Sequence, residues 1–168
     1  MINNLLFALT FLCALASGLM AGFFFAFSTT VMGALGRQPV ASGIATMQSI
    51  NVVVLNPWFL GIFLGTAVAC VVLALAALLK WHEPGAALLL AGALLYVVGT
   101  FLVTMIFNVP LNDALAAVAP DSPAGAELWA RYLRTWTAWN HVRTIAPLAA
   151  AACLTIALLL QARAPAAV

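Results

Sequence analysis

The sequence predicts an all-α fold, a four-transmembrane-helix bundle with short helices in two long connections on the same side. Three observations predict it. Of 168 residues, 66% are hydrophobic and only 6% charged, where a soluble domain carries about 25% charged residues. The mean hydropathy is +1.16. The six Lys or Arg and four Asp or Glu are clustered, leaving uncharged runs that exceed the roughly 20 residues a spanning helix needs. This excludes an ordinary soluble domain, a disordered chain and a disulfide-stapled secreted domain. A formal charge of +2 is too small to imply a polyanionic partner, so no nucleic acid is expected.

The elements follow from where the charges fall. No charged side chain precedes Arg37, and a first span is expected near 4–32. Ala14-Leu15-Ala16 has the form of a signal-peptide cleavage site, but Met1-Ile2-Asn3-Asn4 carries no Lys or Arg and the apolar run continues past it. It therefore reads as a retained span. A second span, near 57–79, opens at Asn56-Pro57 as N-cap and first helical residue. Lys80, His82 and Glu83 mark a tight turn closed by Glu83-Pro84-Gly85. The third span, near 85–107, is ended or sharply bent by Asn108 and Pro110. The fourth, near 143–162, is followed by Arg163. The whole chain, 1–168, is then a single integral membrane domain. Lys80 and Arg163 place both termini inside, whereas Arg37, Arg131 and Arg134 argue the reverse. Short loops and span ends weigh most, so N-in and C-in is preferred, in the plasma (inner) membrane.

Small residues recur along the spans: Ala14, Gly18, Gly22 and Ala26; Gly61, Gly65 and Ala69; Gly92 and Gly99. Close backbone approach drives helix association in lipid, so these stripes either pack the bundle or serve homodimerisation. Cys13, Cys70 and Cys153 fall mid-span in three helices and read as buried structural thiols, without metal-site spacing. Phe27-Ser28 followed by Ala34-Leu35 echoes Phe107-Asn108 followed by Ala114-Leu115. That echo reads as a two-hairpin repeat or, preferably, as chance similarity between apolar hairpins.

Polar groups at membrane depth point to function. Here they gather at one end: Ser28, Thr29, Thr30, Gln48, Asn51, Asn56, Asn108, Asn112, Asp113 and the run from Trp136 to Thr144. At about 100° per residue, Trp136, Thr137, Asn140, Arg143, Thr144 and Pro147 share one wedge of a helix, flanked by Trp139 and His141. Pro147 cannot donate to the Arg143 carbonyl, and this face would line a polar cavity. The plain readings stand beside this. Arg143 snorkels to headgroups, the Trp and Tyr residues form an interfacial belt, and Asn56 and Asn108 only end helices. Asp113 sits in a first helical turn, and Glu127 with Arg131 is a solvated i,i+4 pair. His141 suits a general base beside Arg143 and a carboxylate. As a lone histidine it is a poor metal site, with Asp113 the one evident further ligand; haem on a single axial His stays open.

Several blocks carry a resemblance. They are Ala21-Gly22-Phe23-Phe24 through Ser28, Met47-Gln48-Ser49-Ile50-Asn51, Asn56-Pro57, Asn108-Val109-Pro110-Leu111-Asn112, and Trp136-x-x-Trp139-Asn140-His141-Val142-Arg143-Thr144. In this order the chain resembles the DUF1772, or anthrone oxygenase-like, family of small four-helix membrane proteins. The resemblance implies oxidation of an anthrone to an anthraquinone with molecular oxygen, without a cofactor and with O2 as co-substrate. An anthrone loses a benzylic proton to give an electron-rich enolate that reacts with oxygen. His141 would be the base, oriented by Asp113, while Arg143 and Asn140 would stabilise the oxyanion. Trp136 and Trp139 would stack on an apolar aromatic small molecule drawn from the lipid bilayer, with Asn51, Asn56, Asn108 and Asn112 completing the site. Two other readings remain: a non-enzymatic small-molecule binder, transporter component or complex subunit, and a metal- or haem-bearing redox protein.

Overall fold

A computed structural model describes residues 2–163, and those residues are helical with no strand. Helix α1 (Ile2–Ala26) runs through a π-helical turn, Phe27–Val31, into α2 (Met32–Leu35). After a short loop comes α3 (Val40–Val53), then a break, then α4 (Pro57–Leu79). Helix α5 (Ala86–Tyr96) passes through π-helical turns at Val97–Leu102 and Thr104–Asn108 into α6 (Val109–Ala116). Helix α7 (Pro123–Arg163) closes the chain. Four helical paths are long and apolar enough to cross a membrane, which makes the chain an integral membrane protein.

The local causes are visible at the breaks. The Asn56 side chain accepts from the Trp58 and Phe59 amides at 3.1 and 3.0 Å, and Pro57 supplies the pre-set φ of a first helical residue. Gly85, with φ +84°, makes the turn into α5; a Cβ there would lie 2.9 Å from the Ala157 carbonyl oxygen. Lys80 and Glu83 pair across that turn at 2.7 Å. Ser122 Oγ accepts from the Gly125 amide at 3.0 Å and starts α7.

Two expectations about the connections change. Asn108 and Pro110 do not end the third helical path, because π turns widen the helix ahead of the proline. Pro110 then falls in the first turn of α6, where no amide donor is needed. The fourth helix opens at Pro123, not near 143, and runs 41 residues, about 60 Å at 1.5 Å per residue. Trp136 to Arg143 therefore lies in mid-helix. The reason is that membrane thickness limits an apolar run, not a helix: residues 123–142 carry no interior breaker, so the helix continues into water.

The molecule is accordingly built in two storeys. In the lower, the four long helices form a ring in which α1 packs on α7 and α4, and α5 packs on α7 and α4. Its core includes Phe63, Leu73, Tyr96, Ala150 and Leu154, with the Cys13 and Cys70 thiols buried among them. In the upper, α2, α3, α6 and the first half of α7 enclose Met32, Ile44, Met47, Leu115, Trp129, Tyr132 and Trp136. The exposed charges Arg37, Asp113, Asp121, Glu127, Arg131 and Arg134 are all on this storey. Trp58 is 85% exposed at one end of α4 and Trp81 51% exposed just past the other. They stand about 35 Å apart by helical rise, matching two bilayer interfaces.

The small-residue stripes divide by span. A Cβ at Gly92 would lie 2.9 Å from the Leu154 side chain and one at Gly99 would collide with the Ala146 side chain, so α5 and its π turn approach α7 closely. Gly18, Gly22, Gly61 and Gly65 have open space beyond them. The buried face of α1 instead carries Cys13, Ser17, Met20, Ala21 and Phe24. Both hairpins also repeat one order: a long helix carrying a π turn where the Phe27-Ser28 and Phe107-Asn108 echo falls, a short loop, and a second helix.

Candidate functional site

A cavity of about 520 Å³ lies where the storeys meet. Phe23, Phe24, Phe27, Phe59, Phe63 and Trp136 give it aromatic walls. These rings pack on one another: Phe23 on Phe27 and Phe59 at 5.1 Å, and Phe27 on Trp136 at 5.9 Å. The exposed members of its lining mark a mouth. Val52, Leu55 and Leu64 form one side, and Met105, Asp113 and Ala116 the other. Helix α3 meets α6 above this mouth, and α4 meets α5 below it. Leu55 and Leu64 flank the exposed Trp58 in sequence, so the mouth opens at the side of the bundle near the Trp58 end of α4.

The polar wall is built by α7. Arg143 is 4% exposed and lines the cavity. Its Nη2 donates to Asn140 Oδ1 at 2.8 Å and its Nη1 to Thr104 Oγ1 at 3.4 Å, while Nε has no partner. Its Cζ stands 4.4 Å from the Phe24 ring centroid and 4.9 Å from that of Trp136. No carboxylate among the described residues pairs with it. Asn140 is fixed in turn by donating to the Phe24 carbonyl and to Ser28 Oγ, each at 2.7 Å. Both acceptors flank the start of the first π turn, the kind of helical irregularity that recurs at functional sites. Ser28 also meets Thr144 Oγ1 at 3.3 Å.

A second network holds the roof. Asn112 Oδ1 accepts from Tyr132 Oη at 2.7 Å and from Trp136 Nε1 at 2.8 Å. Trp129, Tyr132 and Trp136 stack along α7 at 5.6 and 5.9 Å. Gln48 ties α3 to the end of α6 through the Leu115 and Val118 carbonyls at 2.8 and 3.0 Å. Asn51 comes alongside the Tyr132 hydroxyl and lines the cavity. Its Nδ2 is shielded from solvent and has no acceptor in hydrogen-bonding geometry.

The structure thus brings together Arg143, Asn140, Trp136, Asn51 and Asn112, with Asp113 at the rim. The remaining residues singled out in the sequence sit elsewhere. His141 is exposed and lines no part of the cavity; two residues before Arg143, it lies about 200° around the helix from it. Trp139 stacks on Phe107, centroids 3.6 Å apart, away from the cavity. Asn56 caps α4 beside a shallower groove. Asn108 is buried behind the wall, donating to the Trp136 carbonyl at 3.2 Å. Sequence reading missed the phenylalanine walls. Their one signal was spacing: Phe23-Phe24 with Phe27, and Phe59 with Phe63, each pair on one helix face.

Among the described residues, no three His, Cys, Asp or Glu side chains converge. No curated protein and no solved structure matches the chain. The family model described as anthrone oxygenase matches residues 58–153, from the start of α4 to about three-quarters of the way along α7. That span includes Thr104, Asn112, Asp113, Trp136, Asn140 and Arg143; Phe24, Phe27 and Asn51 lie before it. With more than half of its length matched, the chain belongs to the anthrone oxygenase family.

Proposed function

We propose that the cavity oxidises a flat, phenolic aromatic compound, anthrone- or quinol-like, with O2 as co-substrate and no further cofactor. The observation that carries this reading is the buried Arg143 guanidinium, unpaired by any carboxylate among the described residues, in the wall of an aromatic-lined cavity open at the side of the bundle. Aromatic walls suit a polycycle, and a sideways mouth suits a compound dissolved in lipid. A benzylic C–H of the substrate gives its proton to a base, leaving an enolate. The enolate carbon adds O2 to form a hydroperoxide, which loses water to leave a new carbonyl. Overall, a CH2 and one O2 become a C=O and one H2O.

The chain's own groups would act on the charge and on water. Arg143, held by Asn140 and Thr104, faces the oxygen on which negative charge develops, where low dielectric strengthens its effect. In this reading Asp113, the one carboxylate of the lining among the described residues, takes the proton; His141, the base that the sequence suggested, is exposed and outside the lining. Phe24, Phe27 and Trp136 exclude bulk water. The decisive measurement is oxygen uptake by the purified protein with a panel of anthrones and hydroquinones. Uptake lost in Arg143→Gln and kept in His141→Ala supports the assignment. No uptake with any panel member from a folded protein favours a non-enzymatic binder or carrier.

A further inference from the structure

We propose that the cavity is an anion receptor. It takes flat aromatic ligands that already carry an ionised oxygen, aryl carboxylates and phenolates as well as the enolate, with Arg143 as charge partner and Asn51 as second donor. This rests on the cavity being the reaction site, and it extends that reading from the passing intermediate to what binds stably.

The partners of Arg143 carry the inference. At 4% exposure its charge has left water, yet every protein partner is neutral: the Asn140 amide oxygen at 2.8 Å and the Thr104 hydroxyl at 3.4 Å. Nε has no acceptor among the described residues. A buried cation without a counter-ion is costly unless a bound anion completes it. Asp113, the acid of the lining, is exposed at the rim and makes no ion pair among the described residues. Asn51 brings from α3 a second shielded nitrogen, beside the Tyr132 hydroxyl but without an acceptor in hydrogen-bonding geometry among the described residues. Around these two donors the lining is mostly apolar. A neutral ligand could satisfy Asn51 but would leave the guanidinium uncompensated.

Shape narrows the class. The Phe24 and Trp136 rings stand within 4.4 and 4.9 Å of the guanidinium carbon, so an anion reaching it must carry an apolar body that fits between aromatic walls. An aryl carboxylate does this. A lipid phosphate has the same sign of charge, but it is tetrahedral, strongly hydrated and attached to flexible chains.

The test uses the full chain in an uncharged maltoside detergent. Quenching of tryptophan fluorescence is titrated with anthracene-9-carboxylate and with its neutral near-isostere, anthracene-9-carboxamide. The carboxylate should bind at least about tenfold more tightly, the size of one charge-assisted hydrogen bond. Arg143→Gln should bring the two affinities to within about twofold while the carboxamide still binds, which shows the variant to be folded. Asn51→Asp, which replaces a donor with a negative charge, should weaken the carboxylate by about tenfold and spare the carboxamide. Arg143→Lys should keep part of the preference, giving a variant that retains the charge. Equal affinities in the unsubstituted protein would overturn the proposal. So would a phosphatidylglycerol that copurifies one-to-one and is not displaced by the carboxylate. Anion preference without oxygen uptake sinks the oxygenase reading alone; uptake without anion preference sinks this inference alone.

Discussion

Arg143 shows how one residue can be costly to bury and useful for the same reason. Its guanidinium is out of water and paired only with neutral oxygens, so its field is open to a ligand. Arg143→Gln should lower turnover by about 10²- to 10³-fold, the range seen when a charge-stabilising donor is lost, with thermal unfolding little changed. His141→Ala should keep turnover within about twofold, since surface changes away from a site act weakly. Steady-state oxygen uptake on both variants checks the pair. Asn112 makes a different prediction. Its Oδ1 holds both the Tyr132 hydroxyl and the Trp136 indole. Asn112→Leu leaves two donors without an acceptor, at about 1–3 kcal/mol each, and should lower the unfolding temperature in detergent as well as disorder the Trp136 wall.

At the scale of elements, helix continuity decides where side chains meet. The break at 54–56 separates α3 from α4, whereas α7 passes the same level unbroken and brings Trp136 and Arg143 into the cavity lining, with Tyr132 and Asn140 holding them from behind. Asn56→Ala should destabilise the start of α4 by about 1 kcal/mol. The glycines separate by what stands beside them. Gly99→Leu should block the approach of the third helical path to Ala146 and unfold the protein. Gly22→Ala and Gly61→Ala meet nothing within 4 Å and should leave the unfolding temperature unchanged or raised. A loss of stability at either would mean that those faces are packed against another copy.

For the whole molecule, two storeys separate membrane residence from chemistry. Cysteines introduced at Asp121 and at His82, both exposed, should react with a membrane-impermeant maleimide from opposite sides, because about 35 Å of α4 stands between the storey junction and the turn. Labelling of both from one side would contradict four crossings. The native thiols interfere little: Cys13 and Cys70 are buried and Cys153 half-buried.

Much of this was legible in the sequence. Uncharged runs before Arg37, from Gln38 to Leu79, from Pro84 to Asn112 and from Thr144 to Ala162 set membrane residence and four crossings, since a charge inside hydrocarbon costs too much to be scattered. Asn56-Pro57 announced a helix start, and the wedge from Trp136 to Pro147 is buried as its 100° phase required. The blocks around Asn112 and Arg143 pointed to the family that the profile match establishes. The extent of α7 was not legible, because apolarity reports the bilayer and not the helix. Nor were the partners: Asn140 bonds Phe24 and Ser28 from more than 100 positions away, and no local pattern encodes such a pairing. Phase alone placed His141 beside the wedge. Only the packed structure showed that the cavity lies on the Arg143 side, with phenylalanines for walls and a mouth at the side of the bundle.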